Sequence, residues 1–250
     1  MKIKEKLNMD RRAFIQNGAI NVVVFGDSLT YGAFEYGVVD YENVYWNVLR
    51  KMINDVNPTI PVNMINSGIG GQTAESSLSR LDSQVLAHSP DLVIVAFALN
   101  DISQNKGTDA YCAALKQIFE KCLSIGAEVV FMTEHMFNTY VADDTIDILK
   151  EYAAKTAEIQ KSGLVDEYMN AAKDLAASMG VPVADCYSEW KKLYESGVDT
   201  TMLLANRINH PIREMHQLFA DKIFDIILGS ENRKNAEDIS MCQDFEKGKI

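Results

Sequence analysis

In the stretch VVVFGDSLTYG, residues 22–32, an apolar run leads straight into Gly26-Asp27-Ser28. A serine at the end of a buried strand is either a helix cap or a nucleophile. A free hydroxyl is a weak nucleophile and needs a base. Histidine is the usual base near neutral pH, and of the four in the chain His210 has the best placement. It lies in Asn209-His210-Pro211, just before the last helix-period segment, in a loop that can return to the strand ends. Attack on an ester carbonyl builds negative charge on oxygen, which requires fixed donors. Gly71, in NSGIGGQT (66–73), offers a main-chain N–H with no side chain in the way. Asn100, in ALND (98–101), offers an amide, and the N–H of Ser28 beside a helix N-terminus offers a third donor.

Each residue also has a plainer structural role. Ser28 can cap a helix, Gly70-Gly71 can form a turn, Asn100-Asp101 an Asx turn, and His210-Pro211 can open a helix. Their joint occurrence, each at a strand end or helix start, favours the chemical reading. Asp27 and Asp101 sit beside the reacting groups and read as supporting hydrogen-bonding residues. His216 lies six residues after His210, a spacing that does not put two imidazoles on one helical face, and reads as a packing or capping residue. His88 looks incidental. Glu134-His135 follows the fourth apolar run, and pocket lining and a solvated position stay equally open for it.

Five short apolar runs must position these groups: 20–25, 61–66, 91–99, 127–133 and 181–186. Most are continuous rather than alternating, as strands buried on both faces are. Helix-period segments separate them at 41–56, 107–125 and 165–179, with a last one at 213–228 and a long stretch over 142–179 broken near Ser162-Gly163. Gly126 and Gly180 follow two of these as C-terminal stops. Strand–helix alternation predicts an α/β fold, a three-layer α/β/α sandwich with about five parallel strands. Ligands of such sheets bind beyond the carboxyl ends of the strands, which is where Ser28, Gly71 and Asn100 fall.

The 250 residues suit one domain, with a core over about 20–228, a lead-in at 1–19 and a polar tail at 231–250. Residues 1–19 read as solvated, with at most one helical turn. Arg11-Arg12 ahead of an apolar run looks like an export signal, but that run is the strand leading to Ser28. No apolar stretch is long enough to span a membrane. The net charge of −11 argues against nucleic acid or an anionic membrane surface as partner. Cys112, Cys122, Cys186 and Cys242 form no C-x-x-C pair and fit a reducing compartment, so the expected location is cytoplasmic. Oligomeric state is not legible.

GDSLTYG, NSGIGGQT, ALND and NHP, in this order, resemble the motif blocks of the SGNH hydrolases, the GDSL-type esterases and lipases. The resemblance covers about residues 20–228. It implies a flavodoxin-like five-stranded parallel sheet and hydrolysis of acyl esters with neither metal nor cofactor. Carried over block by block, it makes Ser28 the nucleophile, Gly71 and Asn100 oxyanion donors and His210 the base. Ala98 stands where the family's third block has glycine. Arg207 stands three residues before His210, where the family has an orienting Asp, and a guanidinium cannot accept a hydrogen bond. An acid from elsewhere, with Asp199 and Asp185 nearest, a main-chain carbonyl, or a weak or dead site are the alternatives.

The expected function is a serine esterase for small acyl esters, with acetylated carbohydrate first among substrates. A thioesterase or lysophospholipase of the same family is the nearest alternative, and a non-catalytic glycan-binding relative the next. The absence of G-x-G-x-x-G after the first strand, and of a P-loop, weighs against a nucleotide-binding module.

Overall fold

A computed structural model describes residues 2–233. In chain order its elements are α1 (Lys2–Leu7), α2 (Arg11–Asn17), β1 (Ile20–Gly26), α3 (Ser28–Tyr31), α4 (Tyr45–Val56) and β2 (Val62–Gly68). There follow α5 (Ala74–Gln84), β3 (Leu92–Ala96), α6 (Leu99–Ser103), α7 (Thr108–Ser124) and β4 (Glu128–Met132). The chain continues through α8 (Lys150–Lys161), α9 (Leu164–Ser178), β5 (Val183–Ala184), α10 (Cys186–Glu195) and α11 (His216–Leu228).

All strand pairs are parallel, and the sheet order is β2-β1-β3-β4-β5. This is the three-layer α/β/α sandwich with the flavodoxin-like order. The central strands are apolar along Val22–Phe25 and Leu92–Ala96, which have no exposed surface. Continuous apolar runs are what burial by helices on both faces demands. The edge strand β2 is less buried, with Asn63 exposed and Met64, Ile65 and Asn66 half-buried.

Two features of register build the rim on which the predicted groups sit. Gly26 pairs with Gly68 on one side and Ala96 on the other, so β1, β2 and β3 end level. The strand order reverses between β1 and β3, which opens a crevice between their carboxyl ends. The glycines allow α3 to dock there. A Cβ on Gly68 would overlap the main chain of Thr30 and Tyr31, and one on Gly26 would overlap the Thr30 side chain and the Ala96 carbonyl.

The amino terminus differs from its expected solvated lead-in. It forms α1 and α2, and Ile3 and Leu7 are buried in the main core. Lys6 reaches the Ala19 carbonyl at 3.1 Å and the Asp91 carboxylate at 2.7 Å, which ties α1 to the amino-terminal ends of β1 and β3. The charge-rich sequence KIKEKL hid two apolar residues at four-residue spacing, one helical face. The third strand is also shorter than its apolar run, because α6 begins at Leu99 and takes Asn100 into its first turn. Of the expected polar tail, residues 234–250 lie outside the described residues, Cys242 with them. Among the described residues no helix is long and apolar enough to cross a membrane.

Candidate active site

Ser28 is the first residue of α3, and the turn before it is set by Asp27, whose Oδ1 accepts the Leu29 N–H at 3.0 Å. Trp46 donates its indole N–H to the Thr30 carbonyl, and Tyr45 joins its hydroxyl to that of Thr30, so α4 clamps α3 from behind. The Ser28 side chain is thereby held at the rim, partly exposed and facing a cleft of about 470 Å³.

His210 arrives from the other end of the chain on a loop whose turn is organised by Asn206. The Asn206 Oδ1 accepts the N–H groups of Ile208, Asn209 and His210 at 2.9–3.0 Å. The Ala205 N–H donates to the His210 carbonyl at 2.6 Å. From below, the His135 Nε2–H donates to the Asn209 carbonyl at 2.9 Å. His210 Nε2 lies 3.0 Å from Ser28 Oγ, across 182 positions of sequence.

The other ring nitrogen explains how the site stands without the family's Asp. His210 Nδ1 lies 2.9 Å from the Phe34 carbonyl. That oxygen can only accept, so Nδ1 carries the proton and Nε2 is the free base facing the serine hydroxyl. The carbonyl is fixed by two neighbours. Phe34 is fully buried and packs on the His216 ring at 4.7 Å. Arg213 lies over the Phe34 ring at 4.6 Å, and its guanidinium bonds Glu35 at 2.7 Å and Asp40 at 2.8 Å. These part-exposed pairs each contribute only about 0.2–1 kcal/mol, so their main effect is to hold residues 34–40 in one place.

Arg207 turns away from the imidazole. Its backbone is left-handed at φ 60°, and its guanidinium pairs with Asp144 at 2.9 Å and with the carbonyls of Met202 and Leu204. Neither alternative acid reaches His210. Asp199 accepts the Tyr140 hydroxyl at 2.7 Å, and Asp185 caps α10 and pairs with Lys173 at 3.1 Å. A carbonyl carries no signature in side-chain identity, which is why sequence reading could name the option but not the residue.

Burial disfavours the imidazolium and lowers the pKa of His210 below its ordinary 6.5, with the Phe34 carbonyl opposing in part. The ring is therefore neutral at pH 7. His216 is buried, accepts the Tyr45 N–H at Nδ1 at 3.0 Å, and is held neutral with a pKa pushed down to about 3. That is the packing role its spacing suggested.

Gly71 lines the cleft at φ 77°, a conformation that favours glycine. Its loop is anchored at both sides. Gln104 donates to the Gly71 carbonyl at 3.0 Å, and the Asp101 carboxylate accepts the Ala74 N–H at 3.2 Å from each oxygen. The N–H groups of Ser28 and Gly71 donate to no other group among the described residues. Asn100 Nδ2 donates one hydrogen to Asp27 Oδ2 at 2.6 Å, and the residue borders the same cleft. Ser28, Gly71, Asn100 and His210 thus line one pocket. His88 stands apart and exposed.

Glu134 and His135 are neither pocket lining nor solvated; both are buried, at 1% and 0% exposure. They point inward because β4 ends beside α6, which carries Asn100, and the loop that carries His210: Glu134 meets the Leu99 N–H and His135 the Asn209 carbonyl. Arg213 and Phe34 went unread in the sequence. The only trace was a pair of acids, Glu35 and Asp40, flanking an otherwise apolar loop.

A parallel α/β/α sandwich with a serine, an imidazole and unpaired N–H donors at its topological switch point has the composition of an ester-cleaving serine hydrolase. The GDSL-like Lipase/Acylhydrolase family profile matches residues 24–218, and the chain belongs to that family. Among solved structures, an acetylxylan esterase, Axe2 of Geobacillus stearothermophilus, is 18% identical, with a TM-score of 0.63 over 83% of this chain and 94% of that one. The acetyl xylan esterase AlAXEase is 20% identical, with a TM-score of 0.66 over 84% of this chain and 100% of that one. LAE5, an α/β hydrolase enzyme from a Lake Arreo metagenome, is 16% identical, with a TM-score of 0.65 over 87% of this chain and 99% of that one. At these identities the likeness is one of fold. An uncharacterised lipoprotein of Bacillus subtilis, YqeF, is 34% identical over 85 residues, 34% of this chain and 33% of that protein's length.

Proposed function

We propose that the protein hydrolyses small acyl esters through an acyl-enzyme on Ser28. His210 Nε2 takes the hydroxyl proton as Oγ attacks the carbonyl carbon, then passes it to the leaving alcohol. The N–H groups of Ser28 and Gly71 and the amide of Asn100 hold the oxyanion. Water, deprotonated by the same imidazole, releases the acid. The observation that carries this reading is the 3.0 Å approach of Ser28 Oγ to His210 Nε2, on a ring whose Nδ1 is fixed 2.9 Å from a carbonyl.

For the alcohol half, acetylated carbohydrate is the first choice. Tyr31, Tyr36 and Tyr152 border the cleft and offer flat faces to a sugar ring, with Asn206 and Asn209 beside them. Two of the structural neighbours are named for acetylated xylan. The exposed apolar Val38 and Val39, which line the cleft together with Leu149, favour a second reading, a longer acyl chain. Release of 4-nitrophenol from acetate through decanoate esters separates the two. The first reading predicts kcat/KM highest at acetate and falling about tenfold by octanoate; a maximum at eight carbons or more replaces it with the second. The unpaired thiols Cys112, Cys122 and Cys186 support a cytoplasmic location within the same proposal.

The pH profile tests the base. Only neutral His210 accepts the serine proton, and burial keeps it neutral to lower pH than usual. The rate is expected to fall as pH drops through a midpoint below 6.5. A midpoint above 7 in kcat/KM contradicts His210 as the base.

A further inference from the structure

Behind the cleft lies a buried carboxyl pair that the reaction as described does not use. Glu134, at the end of β4, places Oε2 2.6 Å from the Leu99 N–H at the start of α6. Its Oε1 is buried with no ordinary donor. The ionisable side chain that acts most strongly on it is the buried Asp27, and the two carboxyl groups perturb each other. Asp27 is 3% exposed and already accepts from Leu29 and from the Asn100 amide. Two carboxylates cannot both accept from each other, so one of the facing oxygens carries a proton. We propose that Glu134 is a positioning residue: as a carboxylic acid it donates to Asp27 and accepts from Leu99, and so fixes the direction of the Asn100 amide. This rests on the reading of Asn100 as an oxyanion donor.

The hydrogen bonds assign the proton to Glu134: both Asp27 oxygens already accept, from Leu29 and Asn100, whereas Glu134 accepts only at Oε2 and its Oε1 has no donor. Burial, then the charge of Asp27, pushes its pKa well above the ordinary carboxylate range. Burial also raises the pKa of Asp27, to about 6, with the bonds from Leu29, Glu134 and Asn100 opposing the rise and favouring its carboxylate. The other titratable groups around the pair are Asp101 on α6, pushed up to about 7 by burial, the buried phenols of Tyr45 and Tyr111, and His135 next in the chain. The result is a chain from β4 to the cleft: Glu134 to Asp27 to Asn100. An ionised Asp27 aimed at Nδ2 holds one amide hydrogen and leaves the other for substrate. Without the donor behind it, Asp27 is free to turn, and the amide turns with it.

Glutamine at position 134 keeps the arrangement, with its NH₂ donating to Asp27 and its carbonyl accepting from Leu99. Leucine keeps the volume and removes both bonds. With 4-nitrophenyl acetate as substrate, Glu134→Leu is expected to lose about tenfold or more in kcat with KM within about twofold, while Glu134→Gln keeps kcat within about threefold. Thermal unfolding gives a readout independent of catalysis. An acid whose pKa is raised by folding stabilises fully at low pH and loses that contribution as pH rises toward its folded value. The Tm of the wild type is therefore expected to fall more steeply than that of Glu134→Gln between pH 5 and 9. Should Glu134→Leu fail to fold, the Glu134→Gln rate and Tm profile carry the test. Equal loss of kcat in both folded variants, or a wild-type kcat in Glu134→Leu, overturns the positioning role. Parallel Tm profiles overturn the shared proton. A wild-type kcat in Asn100→Ala instead removes the oxyanion reading, and the catalytic role of Glu134 with it.

Discussion

Replacing Ser28 with alanine is expected to lower kcat by about 10⁴-fold or more, with His210→Ala falling by a similar factor and the double variant falling no further. The reason for the shared loss is geometric. Ser28 Oγ and His210 Nε2 lie 3.0 Å apart, and neither does its part without the other. A base with no hydroxyl to deprotonate and a hydroxyl with no base are equally slow. A loss of 10⁴ corresponds to about 5.5 kcal/mol of barrier, far beyond what a shift in substrate binding could supply. Initial rates on 4-nitrophenyl acetate across the three variants check this. Additive losses in the double variant would mean that the two residues act in separate steps. Both single variants should keep the wild-type Tm within a few degrees, because Ser28 and His210 are partly exposed at the rim and outside the strand core.

The second large effect falls on the oxyanion. Asn100→Ala is expected to reduce kcat by about 10²–10³-fold, equivalent to about 2.7–4 kcal/mol, with little change in KM. A donor aimed at charge that exists only in the transition state contributes to kcat and not to ground-state binding. Asn100→Asp should lose more than the alanine variant. It has almost the same shape, but it sets a second carboxyl oxygen where Nδ2 now lies 2.6 Å from Asp27 Oδ2, and it offers charge of the wrong sign to the oxyanion. Steady-state kcat and KM for both variants check the ranking. An aspartate variant faster than the alanine variant would mean that bulk at this position matters and donation does not.

The sequence was most legible where burial dictates residue type. Val22–Phe25 and Leu92–Ala96 are apolar at every position because helices cover both sheet faces; β3 falls within its expected run, and β1 extends one residue past its own, to Gly26. The placement of Ser28, Gly71, Asn100 and His210 was legible for another reason. Each follows a strand or precedes a helix in an arrangement whose ligands bind at one rim, and all four line one cleft. The parts that could not be read depend on groups shared by all residues or on partners distant in the chain. The Phe34 carbonyl that meets His210 comes from 176 positions away. Any residue has a carbonyl, and only the packing of Phe34 against Arg213 and His216 makes this one useful. Glu134 could not be assigned because its meaning comes from Asp27 and Leu99, which only the register of β1, β3 and β4 brings beside it. Lys2–Leu7 misled in the opposite direction, since four charged residues in six outweigh Ile3 and Leu7 in any composition window but not in the packed core.

Covalent capture tests the Ser28–His210 dyad most directly. The intact protein is treated with a fluorophosphonate, digested and mapped by mass spectrometry. The predicted result is one adduct per chain, on the peptide carrying Ser28, formed at least about a hundredfold more slowly in His210→Ala. An adduct on another residue, or labelling of Ser28 at the same rate without the imidazole, would contradict it.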